Sequence, residues 1–236
     1  MEGNHSSFIA KVILILFAGA LALFWIITGV IDVVGMNSSK NQIREVKPNE
    51  FKEGMYFNTY INDNFGCYVE VKSNIGNLGN ESYYLVPLYD NDHFISINAK
   101  GKLNKKISKL PLASKYKQKY EKSLSLKGKV RKLDNDVYQE LRNAWAKFLD
   151  TNDKSKIDEY AIPYYIDTSA YTSAIYKIIE GTLLLVLCGM FILYKKLSDF
   201  SYGTNAKSKV ILYISAVLLL GFIILLFMNL STMFSI

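Results

Sequence analysis

Few residues of this 236-residue chain fall in patterns that could do chemistry. His93 follows Asp90 and Asp92, so two carboxylates and an imidazole fall within four residues and could offer ligands to a divalent metal. The same stretch, with Asn91 inside it, is also built of turn formers, and a hairpin turn is the preferred reading. A serine hydrolase would have to use His93 as its base, and no Gly-x-Ser-x-Gly elbow is present. Neither Cys-x-x-Cys, nor HExxH, nor a glycine-rich phosphate loop occurs. Cys67, in Phe65-Gly66-Cys67-Tyr68, reads as a buried structural thiol at a turn-to-strand junction. Cys188 lies inside an apolar run and cannot pair with it. No catalytic constellation is found, and neither an enzyme nor a cofactor is expected.

Binding chemistry has more to work with. Residues 100–132 hold thirteen Lys and Arg against one acid, Glu121, which makes this tract a candidate polyanion site. Lys115, Lys117, Lys119 and Lys122 come from a helical stretch, and Lys127, Lys129 and Arg131 from the strand that follows. The bland alternative is a solvated lysine face, the commoner fate of a charge run.

The elements that must position these side chains follow from periodicity. Phe57, Thr59 and Ile61 alternate with Tyr56, Asn58, Tyr60 and Asn62, and residues 67–72 alternate again. With Asn62 to Gly66 as a turn, these read as one antiparallel hairpin; strands at 83–88 and 94–99 around Asp90-Asn91-Asp92 read as a second. Leu103, Ile107 and Leu110 have helical spacing, Pro111 opens a further helix, and 123–133 returns to alternation with Gly128 as a bend. Asp134 or Asp136 caps a helix whose stripe is Val137, Leu141, Ala144, Trp145, Phe148 and Leu149. Tyr160, Ile162, Tyr164 and Ile166 alternate through Pro163 as an edge strand.

Three apolar runs flank this block. Residues 12–31 and 210–229 are each twenty residues without a charge, and 175–194 carries Lys177 and Glu180 near its start. Twenty apolar residues cross roughly 30 Å of hydrocarbon. The first run is too long, and lacks the small-x-small site, for a cleaved signal. Its small residues Gly19, Ala20, Ala22 and Gly29 read as ordinary members of a membrane helix. Lys177 and Glu180, three apart, share a helical face and read as a clasp near the interface. The chain thus divides into a cytoplasmic N-terminus at 1–11 and a first span at 12–34, followed by an α+β domain at 35–174. A second span at 175–194, a loop at 195–209, a third span at 210–230 and a tail at 231–236 complete it. Lys195, Lys196, Lys207 and Lys209 against Asp199 make the short loop cytoplasmic, which places the domain outside the cell.

A strand meander, a helix, a glycine-bearing strand at 126–133, another helix and a closing strand resemble a small OB-like, partly open β-barrel with two helices. The layout, with the stretch GKVRKLDNDVY at 128–138, resembles uncharacterised small membrane proteins of low-GC Gram-positive bacteria. The excess of lysine over arginine, 25 to 3, fits an AT-rich genome. That resemblance implies no catalytic residues. The sequence therefore reads as a membrane-anchored, non-catalytic binding or scaffold protein, an accessory subunit or an envelope sensor. Its partners would be the lipid bilayer, an anionic lipid or wall polymer, and a membrane-protein partner or second copy. No nucleic acid is expected if the domain is outside. The alternatives are a subunit of an oligomeric transporter and a metal-dependent module centred on His93.

Orientation is checked by thiol labelling of intact cells, in a chain whose two native cysteines are replaced by serine. Ser201→Cys should be shielded from an impermeant reagent and Ser125→Cys labelled. The reverse pattern overturns the orientation.

Overall fold

The computed structural model describes residues 3–71, 81–88, 93–112, 123–200, 210, 214–215, 217–219 and 221–223. They fall into two compact units, one drawn from Met1–Asp32 and Thr172–Met233, the other from Val33–Tyr171.

The first unit is built on two long helices, α1 (Gly3–Ser38) and α5 (Ala170–Phe200). Within them Ile13–Ser38 and Ala170–Tyr194, 26 and 25 residues, are each long and apolar enough to cross a membrane. At 1.5 Å per residue each spans roughly 37 Å or more, longer than a bilayer's hydrocarbon. Two such helices stand among the described residues where the sequence suggests three, because the run at 210–230 lies largely outside them. The backbones of α1 and α5 touch. A Cβ on Gly29 would stand 2.7 Å from the Ala174 carbonyl oxygen, and one on Gly181 2.6 Å from that of Ala22. Rising α1 numbers meet falling α5 numbers, so the pair is antiparallel. Ala22 and Gly29 are therefore seam residues, whereas a Cβ on Gly19 would meet nothing within 4 Å. Small residues let helices approach at this distance.

The second unit is α+β, with a six-stranded mixed sheet among the described residues, in the order β1-β5-β6-β4-β3-β2. The strands are β1 (Tyr56–Ile61), β2 (Cys67–Val71), β3 (Glu81–Pro87), β4 (Phe94–Lys100), β5 (Leu124–Lys132) and β6 (Tyr164–Asp167). The expected β3/β4 hairpin forms with Glu81 opposite Lys100 and Pro87 opposite Phe94. The other expected hairpin does not: β1 pairs with β5 and β2 with β3. The reason lies in the hydrogen bonds of the supposed turn. Asn64 donates its backbone N–H to Pro111 and its side-chain amide to Ile107, while Phe65 N donates to Leu85 O and Leu85 N to Gly66 O. Turn-forming residue types here bind distant segments and do not close a loop.

This connection also bends the sheet. Six Cα steps separate Ile61 from Cys67, a reach of at most about 21 Å. The edges of a flat six-stranded sheet would lie about 24 Å apart, five spacings of about 4.8 Å. Edge strands so joined require curvature.

Helix α2 (Gly101–Ile107) follows β4, and α3 (Asn135–Leu149) and α4 (Lys154–Tyr160) lie between β5 and β6. The sequence reading missed α4. Its N-cap Asp153 accepts from the amide and hydroxyl of Ser155, which holds this carboxyl below its ordinary range. Tyr160 consequently ends a helix, and β6 is a central strand, not an edge, paired with both β4 and β5. Pro163 is compatible because it precedes the first strand residue and needs no ladder donor there.

Two apolar layers use the two faces of the sheet. Phe57, Ile61, Val86, Ile95, Ile97, Leu126, Val130 and Ile166 form the inner one with Ile43 and Ile107. Tyr83, Leu85 and Phe94 form the outer one against Val137, Leu141 and Trp145 of α3 and Ile157 of α4. β3 is buried at every position because it serves both. Gly128 faces inward where β6 crosses closest. A Cβ there would meet Ile166 Cγ2 at 2.5 Å and the Asp167 carbonyl oxygen at 2.9 Å.

A fragment of residues 39–169 should unfold cooperatively in urea. Gly128→Ala in it should cost about 1–3 kcal/mol, the usual penalty for overpacking, and an unchanged midpoint would show that the β5–β6 approach is not tight.

Candidate functional site

Polar side chains form a row across the outer face of the sheet, at the end where β4 and β6 finish. Glu81 of β3, Asn98 of β4 and Asp167 of β6 are each no more than 5 % exposed. The Asn98 amide donates to Glu81 Oε1 at 2.5 Å and, at 3.5 Å, to Asp167 Oδ1. Lys100 Nζ lies 3.4 Å from Glu81 Oε2, and Arg131 Nε lies 2.6 Å from Asp167 Oδ2. Asp167 Oδ1 also accepts from the backbone and hydroxyl of Ser169, and Asn98 Oδ1 from the backbone of Thr168. Two acids and two bases are thus joined through one amide, and their formal charges cancel.

Burial pushes the Glu81 carboxyl up, against the pull of Lys100 and the Asn98 hydrogen bond. Burial likewise raises the phenols of Tyr83 and Tyr165, whose rings meet edge-on at 5.6 Å beside the row, and that of Tyr68, bonded to Ser96. Such phenols stay protonated at neutral pH and serve as packing and hydrogen-bonding groups. The row holds the chain in place just ahead of α5, since Thr168 and Ser169 are bonded into it.

The basic residues singled out in the sequence divide three ways. Lys127, Lys129 and Arg131 alternate along one face of β5 and are engaged within the unit. Lys127 Nζ bonds Asn37 Oδ1 and sits 4.8 Å from the Tyr171 ring centre, and Lys129 sits 5.2 Å from that of Tyr56. Arg131 is held by Asp167. Lys115, Lys117, Lys119 and Lys122 lie outside the described residues. Among the described residues an exposed basic face lies on α2 and the turn after it, where Lys102, Lys105, Lys106 and Lys109 all face solvent while Ile107 is buried. These four were inside the basic tract, but only the helical spacing of Leu103, Ile107 and Leu110 could have separated them as a face.

His93 stacks on Tyr160, ring centres 5.5 Å apart, next to Trp145. Asp90 and Asp92 lie outside the described residues, and among those described no three His, Cys, Asp or Glu groups come together as a metal set. Cys67 is exposed on β2, contrary to the buried thiol expected. Partial desolvation of the sulfur and the neighbouring Glu70 push its pKa up, which disfavours the thiolate. In the first unit Lys177 of α5 faces Asp32 of α1, Nζ to Oδ2 3.7 Å, so the ion pair crosses between helices. Glu180 is 1 % exposed.

These features define a class: an α+β unit inserted between two helices long and apolar enough to cross a membrane. Within that class the chain belongs to the family described as DUF8577, a domain of unknown function, whose model matches residues 4–195. The match takes in nearly all of both long helices and the unit between them. No curated protein and no solved structure matches the chain.

The raised Glu81 pKa has a measurable sign. The native state binds this proton more tightly than the unfolded chain, so its stabilising effect is present at low pH and lost as pH rises through the native value. Glu81→Gln removes that dependence. Its stability relative to the unsubstituted fragment should therefore increase as pH rises from about 4 to 7, read from urea midpoints. A pH-independent difference would contradict the assignment.

Proposed function

We propose that this protein is a membrane-anchored binding or scaffold protein, without chemistry of its own, that presents an OB-like domain with a basic face at the membrane. The observation that carries the reading is the pattern of charge in the second unit. Its buried carboxylates, Glu81 and Asp167, are neutralised by Lys100 and Arg131, whereas the lysines at 102, 105, 106 and 109 face outward.

Support for the OB-like barrel comes from strand order and direction. β1 and β2 are consecutive, run in the same direction, and lie at opposite ends of the order, so together they act as one bent strand that serves both edges. The remaining order, with β4 and β6 parallel, is that of a five-stranded Greek-key barrel. In such barrels the face of the second and third strands commonly takes oligonucleotides or oligosaccharides. Here β3 and β4 occupy those positions, and α3 and α4 cover their outer face through Trp145, Leu141 and Val137. That groove is filled from within, which shifts binding to α2. The ligand class is then an anionic lipid headgroup or wall polymer, with the domain outside a plasma membrane that the helices cross. A second reading, a subunit of an oligomeric transporter, draws on the Asp32–Lys177 pair and the buried Glu180.

Binding of the 39–169 fragment to phosphatidylglycerol vesicles and to purified wall polymer tests the proposal. It should weaken steeply from low to physiological salt, as screening shortens the reach of exposed charge. Reversal of Lys102, Lys105, Lys106 and Lys109 to Glu should reduce it at least tenfold, with stability little changed because exposed charges contribute little. No salt-sensitive binding by the unsubstituted fragment would reduce the face to solvated lysine.

A further inference from the structure

The membrane-length segment of α1 stops at Ser38 and that of α5 begins at Ala170, and residues 33–171 belong to the second unit. The ends of both helices therefore lie within that unit, and both reach the outer face of its sheet at β1 and β5. Tyr56 stands opposite Lys129 there, and Asn58 opposite Lys127. The residues between them, Phe57 and Gly128, are buried, so these four side chains point outward. α3 and α4 pack on this face at β3 and β4, whereas at β1 it carries Tyr60, 59 % exposed.

Two lysines are positioned here by aromatic rings. Lys127 Nζ lies 4.8 Å from the centre of the Tyr171 ring, just inside α5, and donates to Asn37 Oδ1, near the end of α1. Lys129 Nζ lies 5.2 Å from the centre of the Tyr56 ring. That ring rests on α1 at Gly35, where a Cβ would stand 2.6 Å from Tyr56 Cδ2. An ammonium has three N–H donors, and Asn37 takes one of those on Lys127. Asn37 and Tyr171 are neutral, so neither cancels the charge. The bland alternative is that Lys127 only caps α1, but the end of that helix is satisfied without it. Ser39 N donates to Gly35 O, Ser38 Oγ to Val34 O, and the Asn58 amide to Asn37 O.

Charge and position name the partner. Lysines close to a membrane surface attract anionic headgroups. Tyrosine, with an apolar ring and a polar hydroxyl, is enriched at headgroup level. Alternate residues of a strand lie about 7 Å apart, so both ammoniums can reach one phosphodiester. We propose that Lys127 and Lys129, with Tyr56 and Tyr171, form a headgroup site for an anionic phospholipid of the bilayer that the two helices cross. The site is distinct from the lysine face of α2. It rests on the membrane reading above, and the two fail differently. Recovery of the chain from cells without detergent sinks the membrane reading, whereas the headgroup site is judged on purified protein.

The test is native mass spectrometry of the full chain, purified in detergent, delipidated and titrated with phosphatidylglycerol or phosphatidylcholine. The unsubstituted protein should prefer phosphatidylglycerol at least tenfold. Replacement of Lys127 and Lys129 together by Gln should lower that preference at least fivefold, and replacement of both by Arg, which keeps the charge, should preserve it. Reversal of Lys102, Lys105, Lys106 and Lys109 to Glu should leave more than half of it, which separates this site from the α2 face. An unchanged preference in the double Gln variant overturns the proposal. Loss of the preference in the double Arg variant as well would assign the two lysines to the fold and overturn it too.

Discussion

The short connection from β1 to β2 constrains the rest of the second unit. Residues 62–66 must carry the chain between strands that sit at opposite ends of the sheet order. Their polar groups have to be satisfied along the way. Asn64 bonds the end of α2 and the segment after it, Phe65 and Gly66 bond Leu85, and Asp63 accepts from Arg44 at 2.6 Å. Curvature then follows, and with it the need for a residue without a side chain where β5 and β6 come closest. Gly128 meets that need.

Curvature also separates the two faces of the sheet into different jobs. The concave face is filled by aliphatic and aromatic side chains and closed by Ile43 and Ile107. The convex face is shared between the aromatic packing of α3 and α4 and the row of Glu81, Asn98 and Asp167. Burying two carboxylates there is tolerable because each has a cation within ion-pair distance and the amide between them donates to both. The row fixes the end of β6, and therefore the chain that enters α5, by charge and hydrogen bonding as well as by packing.

Much of this was legible in the sequence where the signal is local. The β3/β4 hairpin, the glycine-bearing β5, and the stripe of Val137, Leu141 and Trp145 on α3 all declare themselves by local periodicity. The misreadings have a common cause. Asn62 to Gly66 have the residue types of a turn, but their partners are Leu85, Ile107 and Pro111, which no local pattern reveals. Tyr160 to Ile166 alternates like one strand, although Asp153 caps a helix that ends at Tyr160 and only Tyr164–Asp167 pairs. The polar row was illegible for a related reason. Glu81, Asn98 and Asp167 each look like an exposed polar residue in its own strand, and only the sheet order unites them. Lys177 finds its partner, Asp32, across 145 positions of chain.

The free edge of β1 carries a further consequence. Its Tyr56 carbonyl accepts from Ser39 and Asn41, and its Asn58 carbonyl from Gln42, so the stretch after α1 satisfies acceptors that a neighbouring strand would otherwise seek. An open strand edge invites chain-to-chain pairing and sheet growth. Side chains can occupy that edge without offering a ladder of their own, which keeps one copy of the unit from adding its strand to another.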